Sequence, residues 1–186
     1  MSSILLLHSA LGRRPGVHAL ADQLRALGHD VLAPDFYDGQ VFQDEAGGIA
    51  YRDEVGPSQL LARLAEPLTQ VGDDAVLMGM SLGSAFASHL AMRRPRARAV
   101  ILLHYAAAPS RPWPGQPTQV HRFAHDHWID PAQVEGLGAA VTASGARFED
   151  WVTPGSGHLF TDPDLPDFSQ RATALTLDRI QELLSR

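Results

Sequence analysis

Gly79-Met80-Ser81-Leu82-Gly83 joins an apolar run to a stretch of small, helix-compatible residues. Glycines on both sides of a serine suit a tight strand-to-helix turn, where the two elements approach too closely for a Cβ. Such a turn holds the hydroxyl clear of the sheet, above a helix N-terminus that favours negative charge. The chemistry it supports is nucleophilic attack. A serine at its ordinary pKa needs a base, and the base needs an orienting acid. Behind an elbow of this kind they follow in the order serine, acid, histidine, each past a later strand. Among nine histidines, only His158 falls late, in "TPGSGHLF", where small neighbours leave the loop free to turn. Asp126 lies just beyond the run "TQVHRF" and is the expected acid. Asp130, directly before Pro131, suits a helix cap instead.

An acyl-transfer site also needs two backbone N–H groups for the oxyanion. One belongs to the residue after the nucleophile, Leu82; the other comes from the turn "HSALGRRPG", best placed at Ala10. Ser9 could add a hydroxyl or simply serve the turn. Tyr37, His104, Tyr105 and Trp113 fall on loops or strand ends at the same edge and are candidate substrate contacts, with local packing the competing role. A rival reading takes His121, His125 and His127, which share parity on an extended chain, with Asp126 and Asp130 nearby, as a metal site. The spacing matches no familiar zinc pattern, and the expected reading has no metal.

The elements that must position these residues alternate between short apolar runs and amphipathic stretches. Strands are predicted at Ile4–His8, Val31–Ala33, Ala75–Met78, Ala99–Leu103, Thr118–Phe123 and Ala146–Trp151. Helices are predicted at Pro15–Leu27, Pro57–Leu68, Ser84–Met92, Pro131–Ser144 and Gln170–Leu184. The alternation predicts an α/β fold: a mostly parallel sheet of about six strands, helices on both faces, and working residues outside the strands' carboxyl ends. The Pro/Gly-rich piece 106–117 is too short for a cap domain. No repeat or linker interrupts the 186 residues, so one domain over 1–186 is expected.

Hydrophobic residues make up 45% and charged residues 19%, as in a globular protein. The formal charge of −6, with no basic cluster longer than Arg93-Arg94, argues against nucleic acid or an anionic membrane as partner. Without cysteine there is no disulfide, thiolate site or cysteine nucleophile. No apolar run approaches the ~20 residues of a membrane span, and the first residues lack a signal-peptide pattern, so the default location is the cytoplasm.

Taken together, "LLLHSALGRRPGV", "GHDVLAPDFY", "GMSLGSAFA", "HDHWIDPAQV", "TPGSGHLF" and "ALTLDRIQELL" resemble the dienelactone hydrolase family of α/β-hydrolases. The resemblance runs over nearly the whole chain. It implies an α/β-hydrolase fold, Ser81 as nucleophile, Asp126 as acid, His158 as base, and oxyanion donors at Ala10 and Leu82. The family's founding enzymes carry a cysteine at the elbow where this chain has Ser81, and a glutamate where it has Ser9. They hold the substrate carboxylate with two arginines, at positions that align with Gly39 and Asp162. The expected activity is therefore that of a serine hydrolase acting, without cofactor, on a small ester or lactone, with neutral, short substrates favoured over carboxylate-bearing ones. The alternatives are a non-catalytic small-molecule-binding protein on the same fold, and a thioesterase or peptidase using the same triad.

Overall fold

The computed structural model describes residues 1–185. Six strands form one sheet: β1 (Ser3–Leu7), β2 (Asp30–Leu32), β3 (Val76–Met80), β4 (Val100–Leu103), β5 (Thr118–His125) and β6 (Phe148–Ser156). Their order is β2-β1-β3-β4-β5-β6, and every neighbouring pair is parallel. The helices are α1 (Pro15–Ala26), α2 (Glu45–Val55), α3 (Pro57–Ala62), α4 (Leu82–Ala91), α5 (Pro131–Ala143) and α6 (Gln170–Leu184).

Both faces of the sheet are covered, which is why its central strands read as continuous apolar runs rather than alternating ones. Alternate residues still go to opposite cores. Leu5, Leu7, Leu77, Val100 and Leu102 join Leu60, Phe86, Leu90, Val134 and Leu137 from α3, α4 and α5. Ile4, Leu6, Val76, Met78 and Ile101 join Leu20, Leu24, Ile180 and Leu183 from α1 and α6. Each buried leucine contributes about 1.5–3 kcal/mol of transfer free energy, so the strands carrying the site stand on the most heavily stabilised part of the molecule. Among the described residues no helix is long and apolar enough to cross a membrane.

Several boundaries differ from the sequence expectation. β1 stops at Leu7, and His8 begins the following turn. β5 continues to His125, and β6 runs to Ser156 with a register shift between Phe123 and His125. The helix expected over Pro57–Leu68 is α3 followed by a short 3-10 turn at Pro67–Thr69. All of α2 went unpredicted. Its first half contains Gly47 and Gly48, which weaken both helix propensity and the apolar stripe. Its one strong signal is Asp44, whose side chain accepts the Gly47 N–H as an N-cap.

Candidate active site

In this topology the direction of strand addition reverses between β1 and β3, and ligands of open α/β sheets bind outside the strand ends at such a point. The turns after those two strands carry Ala10 and Ser81. Ser81 has φ +52° and ψ −110°, a backbone conformation that costs energy in a non-glycine residue. Its N–H donates to the Leu103 carbonyl at 2.8 Å, and its carbonyl accepts from Ser84 N–H at 2.8 Å. The Ser84 hydroxyl, fully buried, reaches the carbonyls of Gly79 (2.7 Å) and Leu103 (2.8 Å). A Cβ on Gly79 would strike the Gly83 carbonyl, and one on Gly83 would strike the Leu7 carbonyl. The two glycines are thus demanded by backbone-to-backbone approach of β3, α4 and β1.

β5 and β6 supply the partners. His158 Nε2 lies 2.8 Å from Ser81 Oγ, and His158 Nδ1 lies 2.7 Å from Asp126 Oδ2. The imidazole and the carboxylate are buried. The other Asp126 oxygen accepts the Trp128 N–H at 2.9 Å, which fixes the carboxylate plane. With Nδ1–H donated to Asp126, Nε2 carries the lone pair that faces Ser81. The His158 backbone is held too: its N–H donates to Asp167 Oδ2 at 2.8 Å. Gly157, at φ +119°, has no room for a Cβ beside that carboxyl group. Asp130 sits apart as the cap of α5, accepting the Ala132 N–H at 3.0 Å.

The second turn is organised by His8, a fully buried residue stacked on Phe36 with ring centroids 3.6 Å apart. Its Nε2 accepts the Phe36 N–H at 3.3 Å, so Nδ1 carries the proton and donates to the Ser9 carbonyl at 2.8 Å. Burial depresses its pKa, the nearby Asp35 opposing, and keeps the ring neutral for this tautomer. In a trans peptide the C=O and N–H point in opposite directions. The Ser9 carbonyl also accepts the Gly12 N–H at 3.1 Å, and the two donors together fix the peptide plane that carries the Ala10 N–H. Among the described residues neither Ala10 N–H nor Leu82 N–H meets a protein acceptor. Ser9 Oγ takes the turn role, accepting from Leu11 N–H at 3.2 Å.

Ser81, His158, Ala10 and Leu82 open onto one cavity of about 130 Å³. Tyr105 lines it, as anticipated. Tyr37, His104 and Trp113 do not. Tyr37 is core, donating its hydroxyl to the Gly48 carbonyl at 3.1 Å. His104 is buried with Nε2 2.8 Å from the Thr161 hydroxyl. Trp113 donates its indole N–H to the Gln116 carbonyl at 3.0 Å and lines a neighbouring hollow. The remaining walls were missed: Glu45, Ile49 and Arg52 from α2, Ala85 from α4, and Trp128, whose ring lies 6.0 Å from that of His158. Arg52 is tied to Asp53 by its Nε at 2.8 Å.

Gly39 and Asp162 lie outside the cavity lining. Gly39 occupies a turn at φ +81°, its N–H bound to Asp35 Oδ2 at 2.7 Å. Asp162 is buried against Gly16 at the start of α1, 3.6 Å from Arg14 Nε. Neither position therefore bears on the charge of the cavity. The three histidines of the rival metal reading are dispersed. His121 is buried beside Gln119 Oε1 (3.1 Å), whereas His125 and His127 are exposed. The irregularity between Phe123 and His125 breaks the parity on which that reading relied.

The family model of the dienelactone hydrolase family matches residues 1–186. No curated protein matches the sequence. Among solved structures, the chain is similar to a dienelactone hydrolase-like promiscuous phosphotriesterase from metagenomic libraries (TM-score 0.81, 20% identity, 100% of this chain and 86% of that one). It is also similar to esterase 2 of Thermogutta terrifontis, in its form phosphorylated by paraoxon (TM-score 0.72, 16% identity, 98% and 81% covered). A third is a structure from work on the metagenome-derived lipolytic enzymes LipS and LipT (TM-score 0.72, 16% identity, 99% and 94% covered). At these identities the likenesses establish the α/β-hydrolase fold.

Proposed function

Because this chain belongs to the dienelactone hydrolase family, we propose that it hydrolyses small carboxylic esters or lactones through an acyl-enzyme on Ser81. The observation that carries this reading is the short, buried chain from Ser81 through His158 to Asp126, opening onto a cavity that also receives two free backbone N–H groups. His158 Nε2 takes the Ser81 proton as Oγ bonds to the acyl carbon. The Ala10 and Leu82 N–H groups bind the oxyanion, a stabilisation worth about 3–4 kcal/mol per donor in comparable sites. The bond to the leaving oxygen then breaks, and His158 returns the proton to it. Water enters, gives its proton to Nε2 and attacks the acyl carbon. Collapse of that intermediate frees the acid, and the proton returns to Ser81. Asp126 keeps the imidazole in the required tautomer and offsets its positive charge between the two proton transfers.

Labelling with a fluorophosphonate, mapped to Ser81 by mass, tests the nucleophile and separates an enzyme from a binding protein on the same fold. Ser81→Ala should lower turnover of a short aryl ester by about 10⁶-fold with the fold retained. Comparable turnover by a folded variant would remove the assignment. Parallel ester, thioester and peptide substrates decide among the acyl classes.

A further inference from the structure

The cavity at Ser81 is open on its α4 side. Ala85 and Tyr105 line it, and the same two residues line a second hollow of about 350 Å³. One wall of that hollow is α4: Ala85, Ser88 and Met92 recur at helical spacing along a single face. The other is the 106–113 segment, pinned from behind. Ala108 N–H donates to Gln133 Oε1 at 3.1 Å, and the Trp113 indole is anchored at the Gln116 carbonyl. Gln116 in turn donates to the carbonyls of Ala91 and Arg94, both at 3.0 Å. The groove is therefore built into the fold rather than left between loose loops.

Its charge is one-sided. Arg93 and Arg111 line it, and no acidic residue does. Neither guanidinium meets a hydrogen-bond or ion-pair partner among the described residues, whereas Arg94, next in sequence, is bound to Asp73. In a chain of net charge −6, two cations without a partner at the rim of one groove suit an anionic guest, although Arg93 also borders two neighbouring hollows.

Stereochemistry indicates which part of the substrate enters. The leaving oxygen must sit within reach of His158 Nε2, on the side walled by His158 and Trp128, and neither residue lines the groove. What passes over Ala85 is the substituent on the other side of the acyl carbon. We infer that the acyl chain runs from Ser81 over Ala85 and Tyr105 into this groove and ends in a carboxylate held by Arg111 and Arg93. The substrate class is thus esters of ω-carboxy acids. This deepens the hydrolase reading above and rests on it. It runs against the sequence-based expectation of short, neutral substrates, which rested on the absence of arginine at Gly39 and Asp162. The helix rise places Ser88 about 10 Å beyond Ser81, a span that an extended chain of about eight carbons covers. Arg93 lies one residue past the C-cap of α4, further along the same groove.

The test compares kcat/KM of the full chain for three p-nitrophenyl esters: the acetate, the octanoate and the mono-ester of suberic acid. The suberate half-ester should be favoured over the octanoate by about three- to tenfold at low ionic strength, and the preference should shrink with salt, as for exposed ion pairs. The Arg93→Ala/Arg111→Ala double variant should bring that ratio to about one. Ala85→Leu, which narrows the passage, should lower both long esters relative to the acetate. An octanoate preferred by the wild type, or a ratio indifferent to the double substitution, overturns the inference. So does a preference that appears only when chain and carboxylate are placed on the alcohol. Failure to hydrolyse even the acetate, together with no fluorophosphonate labelling, would instead remove the underlying hydrolase reading.

Discussion

Two aspartates four residues apart, Asp126 and Asp130, show how position decides role. Asp126 is buried between the His158 imidazole and the Trp128 N–H, whereas Asp130 faces solvent and caps α5. Asp126→Asn would favour the wrong imidazole tautomer and should cost about 10⁴-fold in kcat. Asp130→Asn keeps a capping side chain, so steady-state kinetics should stay near wild type and stability should fall by well under about 1 kcal/mol. A reversal of these outcomes would move the acid to Asp130. His8 makes a subtler case, because it acts through a peptide plane. His8→Phe keeps the stack on Phe36 but removes one of the two donors to the Ser9 carbonyl, leaving only the Gly12 N–H at 3.1 Å to hold the peptide plane that carries the Ala10 N–H. If that N–H serves the oxyanion, kcat should fall by about tenfold or more while KM changes little, since the donor matters most where charge develops. A purely structural role would instead show as a lower unfolding midpoint with normal kcat in the folded fraction.

At the scale of elements, the least legible piece is α2, and it supplies a wall of the site. A Cβ on Gly48 would strike the Ala10 carbonyl, and the Tyr37 hydroxyl reaches the Gly48 carbonyl. The helix thus packs directly on the Ala10 turn. On neighbouring Gly47, a Cβ would meet Phe42 Cδ1 at 3.3 Å and Asp44 Oδ1 at 3.4 Å, side-chain atoms able to yield. Gly47→Ala should therefore stabilise by up to about 0.5–1 kcal/mol through helix propensity, unless that crowding cancels the gain. Gly48→Ala should push α2 from the Ala10 turn and depress kcat/KM. Equal effects of both substitutions on activity would mean that this contact does not shape the site. These glycines also explain why α2 escaped detection. Gly48 serves a tertiary approach that no local pattern encodes, and together the two erase the amphipathic stripe by which a helix is recognised. The Ser81 turn, by contrast, was readable because Gly79 answers a local demand between β3 and α4, and Gly83, though set by the approach of β1, falls within the same five residues. The order of residues ending at His158 was readable as well, since each sits just past a strand. Which aromatic residues face the cavity was not. Tyr37 and Trp113 are drawn into the core by hydrogen bonds to backbone carbonyls remote from Ser81, whereas Trp128, passed over in the sequence, reaches the cavity because Asp126 holds its N–H.

For the molecule as a whole, the same burial that orders the site makes it sensitive to acid. His8, His104 and His121 are buried, and desolvation is the first cause of a lowered pKa in each, His121 falling to about 3. His104 and His121 stay neutral in the folded protein well below the pH at which the unfolded chain protonates them, and burial shifts His8 in the same direction. Above about pH 6.5 both states are neutral and these residues add no pH dependence. Below it the unfolded chain binds more protons, so stability falls with pH by up to about 1.4 kcal/mol per unit for each histidine. Asp162 has the opposite sign: burial raises its pKa, so protonation in acid relieves a cost already present at neutrality. Asp35, held low by the His8 ring at 3.5 Å and by the N–H groups of Tyr37 and Gly39, contributes only below the usual carboxylate range. Three histidines outweigh one half-buried carboxyl, giving a net loss of up to about 3 kcal/mol over the first unit below pH 6.5. That is a large share of the ~5–15 kcal/mol of a typical domain. Urea midpoints at pH 7.5, 6.5 and 5.5, at constant m-value, should show little change over the first step and a steep fall over the second. His121→Gln should remove about a third of that fall. A midpoint flat to pH 5.5 would mean that the three rings protonate inside the fold, which the neutral His8 tautomer beside Ala10 does not allow.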